Sequence, residues 1–261
     1  MAGITRSNGM TGRTRRHPGT LAAAVVAALA AWAGIAGFDR PAATGRITGR
    51  VAVTGAARYA GTPPAGEPID FGGDEYCTGA HANARVLKRT VVTGPDGGLR
   101  DVVIWINNAP AARGAPPATP ALLDQQGCLY TPHIVVLRTR QMLLVRNSDE
   151  TLHNVHVRSK ANKEFNIGQP IRGIESRRTF ERAEVGISVT CDVHGWMSGA
   201  IAVFDHDWFA VTRANGGFSL DGVPPGTYTI EAWHETLGTQ TQQVTVGAGG
   251  SAEVNFRFGN D

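Results

Sequence analysis

The chain has 261 residues, 42% of them hydrophobic and 18% charged, with 33 glycines and 14 prolines. This is enough for one large or two small domains with proper cores, and the abundance of turn residues fits an all-β protein while excluding coiled-coil and disordered chains. The formal net charge of +3 comes from one end, where Arg6, Arg13, Arg15 and Arg16 precede residue 39 with no acid among them, and the near-neutral remainder has no electrostatic footprint for nucleic acid.

Residues 1–38 read as targeting information. Arg13, Arg15 and Arg16 stand before an 18-residue apolar run, 21–38, which is the layout of a secretory signal peptide. A run of that length also spans a bilayer, so an uncleaved N-terminal anchor is the alternative. Both readings predict a periplasmic or exported protein, touching a membrane only through that segment. Such compartments are oxidising, and thiols there end up bridged or metal-bound. The three cysteines, Cys77, Cys128 and Cys191, are an odd number and leave at least one free within a monomer.

From Ile47 onward short β-type runs alternate with turn signals: 46–53, 86–92, 102–107, 133–138, 142–147, 153–158, 186–191, 200–205, 217–220, 227–233, 242–246 and 252–258. The gaps carry Gly, Pro, Asn or Asp, as in PDGG at 95–98, NSDE at 147–150 and PPG at 224–226, and this punctuation predicts one or two antiparallel β-sandwiches. Residues 56–81 are poor in strand signal. The Ala/Pro-rich stretch 109–120 has little to bury, and 113–129 reads as a linker.

Cys191, His194 and Met197 form a Cys-x-x-His-x-x-Met pattern directly after one predicted strand and before another. A tight loop between two strands brings three such side chains to one point, and His153, after the NSDE turn, supplies a second imidazole. Two imidazoles, a thiolate and a weak axial thioether are the ligand set of a blue-copper electron-transfer site. Asp192 sits beside the thiolate in sequence, where a carboxylate facing the metal would favour Cu(II). His156 falls on the opposite strand face from His153 and reads as a surface residue, and His133, His206 and His234 read as structural.

At these residues the chain resembles the cupredoxin family, amicyanin and plastocyanin in particular: 130–157 looks like that family's strand pair with its His-Asn dipeptide, and CDVHGWM at 191–197 like amicyanin's short ligand loop. The resemblance implies a Greek-key β-sandwich over 130–205 holding one type 1 copper on His153, Cys191, His194 and Met197. It also implies that Asn154 ties the two ligand loops together. The Gly usual in the turn before the second strand is replaced by Thr139-Arg140-Gln141. If Cys191 binds metal, counting leaves Cys77 and Cys128 as a disulfide pair. Pairing of Cys191 with either one, or a second weaker metal pattern at Cys77 and His81, are the alternatives.

Residues 212–246 resemble a carboxypeptidase regulatory-like domain, with Gly-x-Phe-x-Leu followed by a Val-Pro-Pro-Gly-x-Tyr corner; the name carries no peptidase activity. Two strands that usually open that family have counterparts only before the cupredoxin stretch, in 47–53 and 99–107. The copper module is therefore expected to be inserted in a second small sandwich whose parts are 46–112 and 206–258, with tandem order as the other arrangement. The functional expectation is a non-enzymatic carrier of single electrons between periplasmic redox proteins such as a c-type cytochrome or a quinoprotein. A copper carrier or store without electron transfer, and a metal-free binding sandwich, are the competing readings.

Overall fold

The computed structural model describes residues 52–259, so the signal or anchor expected over 1–38 lies outside the described residues. In chain order the elements are β1 (Ala52–Tyr59), the short helix α1 (Glu75–Ala80), β2 (Val103–Ile106), β3 (Ala121–Gln125), β4 (Tyr130–Thr131), β5 (Ile134–Arg138), β6 (Leu143–Asn147), β7 (His153–Arg158) and β8 (Phe165–Gln169). They continue with β9 (Glu175–Arg178), β10 (Glu184–Thr190), β11 (Ser198–Phe204), β12 (Phe209–Val211), β13 (Gly217–Asp221), β14 (Gly226–His234), β15 (Gly238–Val246), β16 (Ala252–Glu253) and β17 (Phe256–Phe258). Among the described residues no helix is long and apolar enough to cross a membrane.

These strands build four sheets. One has the order β5-β11-β10-β7-β8 and faces a second of order β4-β3-β6-β9. Between them lies a core of Val155, Val157, Ile187, Val189, Ile201 and Val203 from the first sheet against Leu123, Leu143 and Val145 from the second. This is the Greek-key sandwich that the cupredoxin resemblance implies. In the other sandwich β12-β2-β14-β15 faces β13-β1-β16, with β17 also on β1. Its core joins Ile104, Ile106 and Ile230 to Val53, Leu220, Phe256 and Phe258. Strands from both sides of 121–204 thus build one sandwich, because β1 pairs with β13, β16 and β17, and β2 with β12 and β14.

The two sandwiches share a third core. Alternation along a strand sends successive side chains to opposite faces. In β2, Ile104 and Ile106 enter their own sandwich, whereas Val103 and Trp105 point the other way. In β11, Ile201 and Val203 face the core of the first sandwich, and Ala200, Ala202 and Phe204 the opposite side. Those outward faces meet, with Ile134 packed among them. Strands covered on both faces cannot carry a polar alternation, which is why 102–107 and 200–205 are nearly unbroken apolar runs. Gly186 belongs to this junction: at φ 79 it sits in an irregularity between β10 and β11, and a Cβ there would stand 3.1 Å from the Trp233 ring.

Several expectations need correction. The pairings are not all antiparallel: β5 with β11, β3 with β6, and β1 with β16 and β17 run parallel, since Greek-key crossovers place strands beside partners that are not hairpin neighbours. The expected linker 113–129 contains β3, an inner strand between β4 and β6, so the sandwich begins before residue 130. Residues 86–92 form no strand, only an isolated bridge between Pro68 and Leu87, although Val91 packs against the core of the second sandwich and the Thr236 hydroxyl donates to the Thr90 carbonyl. The turn that lacks its Gly places Arg140 at φ 63, a conformation glycine adopts more easily.

Candidate metal centre

Each predicted ligand sits where a strand ends. His153 opens β7, Cys191 follows β10, and the loop 191–197 leads into β11. Two backbone hydrogen bonds close that loop, Met197 N–H to His194 C=O at 2.9 Å and Cys191 N–H to Met197 C=O at 3.3 Å. The loop therefore curls back on itself, and His153, Cys191 and His194 are all buried with their ligand atoms within 4.8 Å of one another. The two Nδ1 atoms face each other at 2.9 Å, and Cys191 Sγ lies 3.9 Å from His194 Nδ1. Met197 is buried in the same core as Cys191.

The outer edges of both imidazoles are tied to carboxylates. His153 Nε2 is 2.9 Å from Asp149 Oδ2, and His194 Nε2 is 3.2 Å from Asp74 Oδ2. Burial pushes the Asp149 carboxyl up, but His153 and the N–H groups of Cys128 and Gly127 outweigh it and hold it below the usual carboxylate range. The Cys77 N–H does most to hold Asp74 low, against burial and with help from His194. Ionised carboxylates only accept, so each Nε2 carries a proton and donates it outward, which leaves the two Nδ1 atoms to face each other across the pocket.

Cys191 adds a third electron-rich atom. Burial raises its thiol pKa, but contacts with His153 and with the backbone of Asn154, His194 and Val193 bring it below the ordinary value. The N–H of His194 points to its sulfur at 3.3 Å. Two imidazole nitrogens and a thiol sulfur, all buried, thus converge on one place, a donor set that suits a soft cation. The residues fit a type 1 copper ion.

The Asn154 Oδ1 accepts from the Asp192 N–H at 2.7 Å and lies 3.2 Å from Cys191 Sγ. Tyr130 donates to the Asn154 carbonyl at 2.6 Å, and burial, then Cys191 and Asp192, push its hydroxyl pKa up, so it stays a donor. Asp192 does not face the site. Consecutive residues of an extended chain point oppositely, and its carboxylate turns to His156 at 3.0 Å and Asn166 at 2.6 Å on the outer surface.

Cys77 and Cys128 are bridged. His81 is no partner of Cys77; its Nε2 bonds the Gly127 carbonyl at 2.6 Å and its ring stacks on Phe71. Trp196 donates to the Cys128 carbonyl at 3.1 Å and lies 4.8 Å, ring to ring, from His194. His133 pairs with Glu235 at 2.7 Å, and His206 and His234 each accept a local backbone N–H.

Sequence reasoning missed Asp149 and Asp74. Asp149 carried a weak signal, four residues before His153 in the turn. Asp74 is 120 residues from His194 and carried none; only the disulfide and α1, which Asp74 caps through the Cys77 N–H at 2.7 Å, bring it there.

The sequence profile of the carboxypeptidase regulatory-like domain matches residues 200–259. The match runs from β11 to β17 and leaves out β1 and β2, which complete that sandwich. No curated protein sequence matches the chain. Among solved structures, amicyanin from Paracoccus versutus is similar at 20% identity and TM-score 0.29, covering 38% of this chain and 96% of its own. A purple cupredoxin from Nitrosopumilus maritimus is similar at 19% identity and TM-score 0.28, covering 33% and 98%. A copper-containing nitrite reductase from Thermus scotoductus SA-01 is similar at 20% identity and TM-score 0.32, covering 37% of this chain; the chain spans only 24% of that protein's length.

Proposed function

We propose that the chain is an exported type 1 copper protein that carries single electrons between periplasmic redox proteins and turns over no substrate of its own. The observation that carries this reading is the buried convergence of His153 Nδ1, His194 Nδ1 and Cys191 Sγ, with both outer imidazole nitrogens held by carboxylates. His153, His194 and Cys191 would hold the ion, with the buried Met197 as a further ligand. Copper supplies a one-electron couple and the thiolate strong coupling to it.

The chain's own part is to keep its ligands still. Asp149 grips His153 while the N–H groups of Gly127 and Cys128, both at 2.8 Å, grip Asp149. Asn154 fixes the Cys191 loop from the facing strand. A pocket so held has little to rearrange as charge changes, which favours fast transfer over slow release of metal. His194 is buried, while Val193 is exposed and Trp196 partly so. That patch is where a protein partner would approach; a c-type cytochrome or quinoprotein as that partner rests on the family resemblance alone.

The test is the visible and EPR spectrum of the Cu(II)-loaded chain beside Cys191→Ser. An intense visible band present in the first and lost in the second is expected. Colourless copper binding in both supports a carrier, and absence of copper binding supports a metal-free sandwich.

A further inference from the structure

The disulfide lies against both metal-binding imidazoles. Ligand atoms of Asp74, Cys77 and His194 lie within 4.8 Å of one another, and so do those of Cys128, Asp149 and His153. One sulfur of the bridge therefore stands beside each histidine, each next to the carboxylate that holds that histidine's Nε2. Cys77 and Cys128 are fully buried, as are Asp149 and His153, while Asp74 is only partly exposed.

We propose that the reduced form of Cys77 and Cys128 is a second metal site, taking a thiophilic d10 cation, Cu(I) before Zn(II), on two thiolates with the Asp74 and Asp149 carboxylates and the edges of His194 and His153 completing its surroundings. Two sulfurs with oxygen or nitrogen donors is the donor set such cations select. Opening the site requires a dithiol reductant. The Sγ–Sγ bond breaks, the reductant becomes a disulfide, and its two electrons and two protons leave Cys77 and Cys128 as thiols, whose protons are released as metal binds. The same thiols are also free in the new chain before the bridge closes. The bridge thus separates two conditions of one pocket: open, it captures a soft cation on two added sulfurs; closed, only the Cys191 set remains. The proposal shares His153 and His194 with the type 1 reading but does not need Cys191.

The experiment therefore uses the full chain carrying Cys191→Ser. Its Cu(I) affinity is measured without oxygen against a chromophoric chelator, before and after phosphine reduction of the disulfide. The expected result is one Cu(I) bound at least about tenfold more tightly after reduction, with two sulfur neighbours by X-ray absorption, and no gain in the variant that also carries Cys77→Ser and Cys128→Ser. Equal affinity before and after reduction, or the same gain in the triple variant, overturns the proposal. Circular dichroism covers loss of folding: a reduced chain that regains its β signal with one equivalent of Cu(I) supports the site, and one that stays unfolded with it refutes it. The type 1 reading stands or falls separately, on the colour of the unreduced chain with Cys191 intact.

Discussion

Buried histidines occur in both sandwiches and behave differently. His206 and His234 lie in the regulatory-like part or at its edge, where burial before anything else pushes their pKa values down and keeps them neutral. Each accepts a backbone N–H two residues onward, from Trp208 and Thr236 at 3.2 Å, and neither belongs to a group of convergent ligands among the described residues. For His153, burial likewise opposes the charged form, yet Asp149 and Cys191 outweigh it and raise the pKa. His194 behaves like His206 and His234, burial holding its pKa below the ordinary value, and His133 too has a carboxylate, Glu235, on its Nε2; what marks His153 and His194 is that a carboxylate claims the outer nitrogen while the inner one converges with the Cys191 sulfur.

The sharpest way to break that contrast is to exchange histidine for glutamine in both sandwiches. His153→Gln is expected to weaken copper binding by about a thousandfold or more, close to 4 kcal/mol, whereas His206→Gln and His234→Gln leave it within about twofold, since their hydrogen bonds are local. Equal losses, read by chelator competition, would show that both regions act on the site. Second, the bridge that closes a 51-residue separation belongs to the sandwich with the candidate site alone. Replacing Cys77 and Cys128 by Ser is expected to cost about 4 kcal/mol in urea unfolding.

Third, the two carboxylates are unequal. Asp149 is 2% exposed and also holds two backbone N–H groups, whereas the Asp74 side chain is 26% exposed. Asp149→Asn is expected to lower copper affinity nearer a hundredfold and Asp74→Asn nearer tenfold, and the reverse order would place the tighter grip on His194. The smallest effect concerns the junction, where Asp207 pairs with buried Arg138 at 2.5 Å. Burial raises the Asp207 pKa, but the Arg113 N–H and the Arg138 guanidinium outweigh it and leave the value depressed. A depressed folded pKa stabilises above the ordinary carboxylate range and is lost as pH falls through the folded value. Asp207→Asn should therefore remove about 1 kcal/mol at neutral pH and flatten the acid limb of the stability curve.

What could be read ahead of the structure followed from distance along the chain. Cys191, His194 and Met197 share one seven-residue loop, and the Asn147 to His153 turn is nearly as local, so residue type and spacing were enough. Asp74 reaches His194 across 120 residues, and no local pattern predicts that. β8 and β9 escaped notice because they are sheet-edge strands whose exposed Asn, Glu and Arg blur the alternation. β3 was hidden by the Pro-rich stretch before it. The run 86–92 has strand composition without a sheet to join, since β-propensity measures fit to neighbours that are absent there.

The split sandwich also sets the order in which the molecule can be made. The Ala56 N–H is bonded at 2.9 Å to the Asn255 side chain, 199 residues later. Synthesis runs from the N-terminus, so β1 and β2 emerge long before β12 to β17 exist to cover them. The strands between them find all their partners among themselves. The sandwich that carries the candidate site is therefore free to fold first, and Phe204 and Ala202 wait on its outer face as a template for β2. Loop closure over such distances is slow, and until the last strands arrive the apolar run 102–107 is the segment most in need of shelter from other unfinished chains.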